Sequence, residues 1–221
     1  MAQATRTSIP TADLSDDPIE NVSSWVQTNQ KPLLYGIVAI TVAAGAIFLY
    51  RSNESSTREK ASRALYEAQG PMAEGKLADA ATALDKVATR YSGTSSGNQA
   101  SILLAQVLFD QKKYDAGLAA LTKAQSSASA DFAASIEGTM AAGYESLGKF
   151  AEAADHYGKA AGLAKFPVEK GQYQSSQARA YMSAGKPSDA GKIWLQLSKG
   201  DNLSFSQEAQ VRLGEIAGLK K

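Results

Sequence analysis

The residues that could support catalysis are few and far apart in the sequence. His156 is the only histidine, and it directly precedes Tyr157, which belongs to a packing stripe described below. We therefore expect His156 on the exposed flank of a helix, without the second ligand or paired base that chemistry would need. Four carboxylates at helix-surface spacing are expected to be solvated rather than paired for acid–base work: Asp131, Glu137, Glu145 and Asp155.

A second candidate is the run of Ser, Thr and Gly between Ser92 and Gly97. It superficially resembles a phosphate-binding loop, but it lacks the Gly-Lys-Ser/Thr ending and no strand is predicted before it, so a loop between helices is expected. The chain has no cysteine, which excludes disulfides, thiolate nucleophiles and cysteine-bound metals. We expect no enzyme, no cofactor and no metal site; a hydrolase using His156 is the remote alternative.

Composition limits the classes of partner. The 221 residues include 23 Lys or Arg and 22 Asp or Glu, so the net charge is close to zero. Nucleic acid, which requires clustered cations, is not an expected ligand. Hydrophobic residues make up 44% of the chain, enough for a buried core. No small-molecule substrate is predicted, and other proteins are the expected partners.

One segment is apolar enough to cross a bilayer. Residues 32–50 carry no charge, and a helix of that length covers roughly 28 Å, close to the thickness of the hydrocarbon layer. Tyr35 and Tyr50 lie near its ends, where amphipathic rings favour the headgroup region. The leader before it is longer and more acidic than that of a signal peptide. We predict a transmembrane helix over residues 32–51.

The residues before this segment divide into two parts. Residues 1–18 are rich in Ser, Thr and Asp without an apolar period, and are predicted to form a disordered tail. Asp17-Pro18 is typical of a helix start, and residues 19–31 are predicted to form a short amphipathic helix at the membrane interface. The apolar residues that share one face of this helix are Ile19, Val22, Trp25 and Val26.

Residues 57–221 contain an internal repeat. Four segments align, beginning at Gly75, Lys112, Gly148 and Gly185. Each has a small residue at the same place, a mostly large apolar residue four positions later and a further residue of the stripe three positions after that, so that a partner helix can approach closely at the small residue. The stripe residues are Ala80, Leu84, Val87, Gly117, Leu121, Ala124, Ala153, Tyr157, Ala160, Ala190, Trp194 and Leu197.

A helix with its own stripe precedes each segment, and the turn between the two helices is Gly-Lys in three of the four copies. Gly at such a helix end takes up the left-handed conformation, and the Lys interacts with the helix dipole. Gly70-Pro71 interrupts the first copy and is expected to end or kink its helix. After the fourth copy, a capping helix is predicted from Phe205 to Ala217. Its apolar side carries Phe205, Ala209, Leu213 and Ile216.

These segments resemble the tetratricopeptide repeat, which has small-x-small-aromatic in its first helix, then Gly, an aromatic residue and Ala. Residues 141–153 are the best copy and residues 178–190 the next. The copies are 36 or 37 residues apart, slightly more than the usual 34. The predicted fold is all-α: one transmembrane helix, then a tetratricopeptide-like α-solenoid of about four helical hairpins over residues 57–221, including a C-terminal capping helix.

Solenoids of this type bind partners on a concave face lined by the first helix of each hairpin. The positions next to the packing stripe there are the predicted partner-binding residues. Phe109 and Met182 are expected to be exposed and to offer apolar contact, with packing against a neighbouring hairpin as the alternative for the set. The six residues are Gln106, Phe109, Asp110, Glu145, Arg179 and Met182.

From end to end, the chain resembles the YfgM-type ancillary subunits of the bacterial Sec translocon. The resemblance rests on a short acidic tail, residues 25–40 leading into the apolar segment, and a charged helix running into the hairpins. It implies a single-pass inner-membrane protein with a cytoplasmic N-terminus and a periplasmic repeat domain. It also implies contact with the SecYEG channel, with translocating or periplasmic polypeptides, and with chaperones. The alternative is an accessory subunit of another envelope complex, in cell-wall or outer-membrane assembly.

The charges beside the apolar segment favour the opposite orientation. Lys31 precedes the segment, whereas Arg51, Arg58, Lys60 and Arg63 follow it. By the positive-inside rule the repeat domain would then be cytoplasmic. Large domains translocate despite such charges, so a periplasmic repeat domain is our prediction and a cytoplasmic one its alternative.

Overall fold

The computed structural model describes residues 25–219, except for the side chains of residues 49–52. The predicted tail over residues 1–18 and most of the predicted interfacial helix lie outside the described residues. All regular structure in the described part is helical, which confirms the all-α prediction. The chain divides into two units, residues 1–54 and residues 55–221, and each is described by itself.

The first unit contains the whole of the apolar segment over residues 32–50. Residues 25–28 are helical, and helix α1 begins at Gln30 and ends at Ala73 in the second unit. The most apolar 18-residue window of α1 has a mean hydropathy of 2.2 and none of it is buried. Among the described residues, α1 is the one helix long and apolar enough to cross a membrane. The Thr41 hydroxyl within it donates to the Ile37 carbonyl at 2.8 Å, which satisfies that polar group inside the helix.

The second unit consists of paired helices. We call residues 57–73 of α1 together with α3, α5 and α7 the first helices, and α2, α4, α6 and α8 the second helices; each first helix forms a hairpin with the second helix that follows it, and α9 comes after the fourth hairpin. The bounds are α2 Leu77–Arg90, α3 Ser95–Asp110, α4 Tyr114–Gln125, α5 Ala133–Ser146, α6 Phe150–Leu163, α7 Pro167–Ser183, α8 Pro187–Leu197 and α9 Leu203–Gly218.

The predicted packing stripe is the core of these hairpins. Eleven of its twelve residues are buried and Tyr157 is half-buried. The small residues Ala80, Ala153 and Ala190 are completely inaccessible, as is the large Trp194. Each second helix therefore lies close against its first helix at the small residue and fills the space on either side with larger apolar groups. The four-hairpin prediction is confirmed.

The first hairpin is more regular than Gly70-Pro71 indicated. Helix α1 continues through Pro71 to Ala73, so the expectation that this pair ends the helix is wrong. Pro71 lies in the last turn, where losing one amide hydrogen bond disturbs little of the helix. Leu65 and Ala68 of α1 are buried in one cluster with Leu84 and Val87 of α2, and the first hairpin is complete.

The connection between the first two hairpins and the helix after the fourth hairpin both form as their local sequence indicates. The Ser92–Gly97 run is a turn followed by the start of α3, and the Thr94 hydroxyl caps that helix by accepting from the Gly97 amide at 3.1 Å.

The predicted capping helix is α9, in which Ala209 and Ile216 are buried, while Phe205 and Leu213 pack against the same cluster as Trp194. This helix covers the last hairpin, as predicted.

The turns inside the hairpins depend on a left-handed residue. Gly75, Gly148 and Gly185 have φ values of +73°, +71° and +70°, and the second hairpin has Lys112 at +62° in the same place. A side chain in this region costs about 1 kcal/mol or more relative to glycine. The second hairpin thus contains a small built-in strain that the other three avoid.

Because Lys112 and Gly148 occupy the same left-handed position, substitutions at the two sites should change the free energy of unfolding in opposite directions. We expect Lys112→Gly to raise the free energy of unfolding, and Gly148→Ala to lower it, each by about 1 kcal/mol. Urea unfolding of the full chain in detergent, followed by circular dichroism, measures both. The control is Gly162→Ala, an exposed helical position with no atom within 4 Å of the added carbon, which is expected to be neutral or slightly stabilising. If Lys112→Gly and Gly148→Ala change the free energy of unfolding in the same direction, Lys112 is not strained in the left-handed conformation.

Candidate protein-interaction face

The orientation of the first helices is clearest for α5. Ala141 is fully buried, Glu137 is bonded to His156 of α6, and Tyr144 stacks on the same imidazole with ring centroids 4.9 Å apart. These three residues lie within about 60° of one another around the helix axis. This side of α5 therefore faces its own second helix.

The neighbouring hairpins occupy the two flanks of α5. A Cβ on Gly143 would meet Phe109 of the preceding hairpin, and one on Gly138 would meet Tyr173 of the following hairpin. The remaining side lies about 100° to 160° around the helix axis from Ala141, and at its edge the Ser135 hydroxyl is in hydrogen-bonding contact with Tyr173 of the following hairpin. This side carries Ser135, Thr139, Ala142 and Ser146.

The repeat spacing of 36 or 37 residues transfers these positions to the other first helices. Successive first helices also contact each other: α3 packs against α5, and Tyr173 of α7 lies against Gly138 of α5, so their outward sides adjoin. We call the resulting surface the inner face. It comprises Gln99, Leu103, Gln106 and Asp110 on α3, the four α5 residues named above, and Gln172, Ser176, Arg179 and Ser183 on α7.

Three of the six predicted partner-binding residues lie on this face. Gln106, Asp110 and Arg179 are all exposed. Arg179 is partly engaged: its guanidinium donates to the Glu208 carboxylate of α9 at 2.7 Å and to the Ser176 hydroxyl at 3.2 Å. The structure thus places the three at the surface of two hairpins, where contact with a partner is sterically open.

The other three predicted residues share a different position of the repeat. Phe109, Glu145 and Met182 are separated by 36 and 37 residues, and all three are only partly accessible. The expectation that Phe109 and Met182 are exposed is wrong. Met182 packs against the cluster that contains Trp194, so it belongs to the core around the fourth hairpin and the cap.

Phe109 fills a notch made by two glycines. A Cβ at Gly117 would lie 2.4 Å from its ring, and one at Gly143 would lie 2.5 Å from it. The ring therefore occupies space that only glycine leaves free, between its own second helix and the next first helix. The notch is visible in the sequence as Gly in place of Ala at position 117, a signal that sequence reasoning did not connect to Phe109.

Glu145 also forms its contact within its own hairpin and not with a partner protein. Its carboxylate accepts a hydrogen bond from the Tyr157 hydroxyl of α6 at 3.0 Å. Burial, followed by the charge of Glu145, raises the pKa of Tyr157 well above its usual range, so the phenol remains a donor at all physiological pH values. A similar link joins the next pair of helices, where the Tyr181 hydroxyl donates to Asp155 at 3.2 Å.

Phe109→Ala tests the packing role against a binding role. We expect a loss of about 3 kcal/mol in the free energy of unfolding, because the two glycines leave a cavity that cannot close. Gln106→Ala, one turn away on the exposed side, is expected to change stability by less than about 0.5 kcal/mol. Urea titrations of both variants measure the difference. A Phe109→Ala protein as stable as the Gln106→Ala protein would show that the ring is not part of the core.

Sequence reasoning missed a buried polar cluster between the second and third hairpins. The Glu137 and His156 side chains are 6% and 14% exposed, and the His156 Nδ1 atom lies 2.6 Å from the carboxylate. The Gln125 amide at the end of α4 donates to the other carboxylate oxygen. His156 on an exposed flank and Glu137 as a solvated carboxylate were therefore wrong expectations. Their separation of 19 residues follows no helical period, so only the packing of α5 on α6 brings them together.

The cluster links three helices, and its removal should be costly. Glu137→Ala would leave the largely buried His156 side chain without its carboxylate partner and would remove the bond to Gln125, so we expect the free energy of unfolding to fall by about 2 kcal/mol. The matched control is Asp131→Ala, which removes an exposed carboxylate that pairs with Lys165 and should cost less than about 0.5 kcal/mol. If the two variants unfold at the same urea concentration, the cluster does not hold the hairpins together.

Comparison with known proteins agrees with this geometry. A family model described as a tetratricopeptide repeat-like domain matches residues 63–175, just over half of the chain. Among curated proteins none matches.

Solved structures show the same fold. The TPR-like repeats of a kinesin light chain-like protein from Podosopora anserina superpose with a TM-score of 0.53 at 15% identity, covering 74% of this chain and 96% of that one. A single-substitution variant of those repeats gives a TM-score of 0.52 at 16% identity, covering 74% and 95%. At this level of identity, the likeness extends to the fold alone.

Proposed function

The chain belongs to the tetratricopeptide repeat-like domain family, and on that premise we propose that it is a membrane-anchored scaffold that binds other proteins on its inner face. In its finer form, the proposal is an ancillary subunit of the bacterial Sec translocon that contacts SecYEG, translocating or periplasmic polypeptides, and chaperones. An accessory subunit of another envelope complex is the second candidate. Neither requires catalysis, and no specific observation favours a hydrolase.

One observation carries the proposal. A single chain combines an apolar helix with no buried residue in its most apolar window and a hairpin array with exposed residues, among them Gln106 and Arg179, on its inner face. The first feature would be unstable in water unless a bilayer covers it. The second is the surface that repeat arrays use for recognition. Together they support a protein that holds its partners close to a membrane.

Photocrosslinking from the inner face tests the binding surface. A photoreactive residue at Gln106 is expected to capture SecY or translocating polypeptides in intact cells. The control position is Ala119, which is exposed on α4 and should give few adducts. Adducts from Gln106 with cell-wall or outer-membrane assembly proteins would support the second candidate instead. Adducts that form only from Ala119 would contradict a partner-binding inner face.

The orientation in the membrane has its own test. We propose a cytoplasmic N-terminus and a periplasmic repeat domain, for which we expect added protease to digest residues 55–221 in spheroplasts with an intact inner membrane. Replacement of Arg58, Lys60 and Arg63 by Gln should leave this pattern unchanged, because the large domain translocates despite flanking charge. Protection of the repeat domain until detergent is added would instead establish the cytoplasmic placement that the flanking charges favour.

A further inference from the structure

The inner face carries almost no charge. Of its twelve residues on α3, α5 and α7, only Asp110 and Arg179 are ionised, and the Arg179 guanidinium already pairs with Glu208. The others are Gln, Ser, Thr, Ala and Leu. A ligand recognised by its charges, such as an acidic or basic peptide or a terminal carboxylate, would find few counter-charges here.

Three exposed side-chain amides flank the centre of this face. Gln99 and Gln106 project from α3, and Gln172 projects from α7. Within the part of the chain that the structure describes, none of the three makes a side-chain hydrogen bond. Each amide has two donors and an acceptor oxygen, which are the complement of the groups that a peptide bond offers.

Helix α5, which lies between α3 and α7, has only small side chains on the inner face, and two of their hydroxyl groups already donate hydrogen bonds within the helix. On α5 the Thr139 hydroxyl donates to the Ser135 carbonyl at 2.8 Å, and the Ser146 hydroxyl donates to the Ala142 carbonyl at 2.9 Å. Small side chains that bond to their own helix leave room above them. A bound chain can therefore cross α5 closely while the amides on α3 and α7 reach it from both sides.

An exposed aromatic ring lies at the first-hairpin end of the same surface. Tyr66 of α1 is 79% exposed, and it occupies the repeat position of Leu103, Thr139 and Ser176. A tyrosine presents a large contact area at low cost in conformational entropy. It suits an apolar side chain at one end of the ligand.

From this arrangement we infer that the inner face binds an uncharged, extended polypeptide segment through its main chain. Gln99, Gln106 and Gln172 supply the hydrogen bonds and Tyr66 supplies an apolar contact. The inference rests on the proposed function and names the chemistry of its partner. First helices are spaced about 10 Å apart, so a segment reaching from α3 to α7 needs about six residues in extended form. Such recognition tolerates different sequences, because every residue presents the same main-chain groups.

Peptide binding to the full chain in detergent, measured by fluorescence anisotropy, tests the inference. The probe is a labelled twelve-residue peptide of Gly, Ser, Thr and Val with one Tyr near an end. Its matched counterpart has alternate amide nitrogens methylated, which removes donors without adding charge. We expect the unmethylated probe to bind at least tenfold more tightly, and its affinity to change less than twofold between 50 and 500 mM salt, because no ion pair is formed.

Variants locate the site. Gln106→Leu and Gln172→Leu are each expected to weaken binding about fivefold, the effect of roughly one lost hydrogen bond. Tyr66→Ala should weaken it by a similar factor. Gln196→Leu removes an exposed amide from α8 and should have no effect. Circular dichroism and urea unfolding confirm that each variant is folded.

Three results would overturn the inference. They are equal binding of the methylated probe, strong dependence on salt, and indifference to Gln106→Leu and Gln172→Leu. Failure of the uncharged probe to bind would overturn it as well. In each of these cases, adducts from Gln106 in cells would still support the scaffold function, which the peptide experiment does not decide.

Discussion

The close approach of two helices at a small residue is the constraint on which the array depends. Ala80, Ala153 and Ala190 have no accessible surface, and Gly117 is buried at the equivalent place. A larger side chain there would push the second helix outward and separate the large residues that fill the space on either side, such as Leu84 and Trp194. Because the same contact recurs every 36 or 37 residues, one local rule builds four hairpins and sets the direction of the side that is left uncovered.

The junctions between hairpins follow no single rule. Glu137 lies between α4 and α6 and joins them through Gln125 and His156, whereas the equivalent residue of the preceding hairpin is Ser101. Ser101 lines a cavity of about 30 Å³ between α2 and α4. At the surface above it, the Ser92 and Ser127 hydroxyls bond at 2.8 Å. The hairpins are thus built alike but joined by different chemistry, a pattern expected of arrays stabilised by nearest-neighbour contacts.

Much of the fold could be predicted because its signals are periodic and local. The stripe from Ala80 to Leu197 predicted the second helices and their buried side, and glycine at positions 75, 148 and 185 predicted the left-handed turns. The Gly70-Pro71 pair was predicted to end or kink the helix, and the part of that prediction that ends the helix at this pair is wrong, because the helix continues through Pro71 to Ala73.

The candidate site could be predicted only in part. Gln106 and Phe109 are three residues apart, and the helical period alone places both next to the packing stripe, so it cannot tell which of them is exposed. Gln106 is exposed, whereas the Phe109 ring packs into the space left by Gly117 and Gly143, two glycines that are distant from each other in sequence. The Glu137–His156 pair likewise depends on how α5 packs on α6. Long-range packing of this kind leaves no periodic signal in a single sequence, so the inner face could be defined only from contacts.

The most direct measurement compares two alanines on α2. Ala80 is fully buried at the helix contact, and Ala78, two residues earlier, is exposed. Urea unfolding of the full chain in detergent should show that Ala80→Leu lowers the free energy of unfolding by about 2 kcal/mol, the range expected for overpacking. Ala78→Leu should leave it unchanged. If Ala80→Leu is as stable as Ala78→Leu, the helices do not meet at their small residues, and neither the hairpin array nor its inner face is as described.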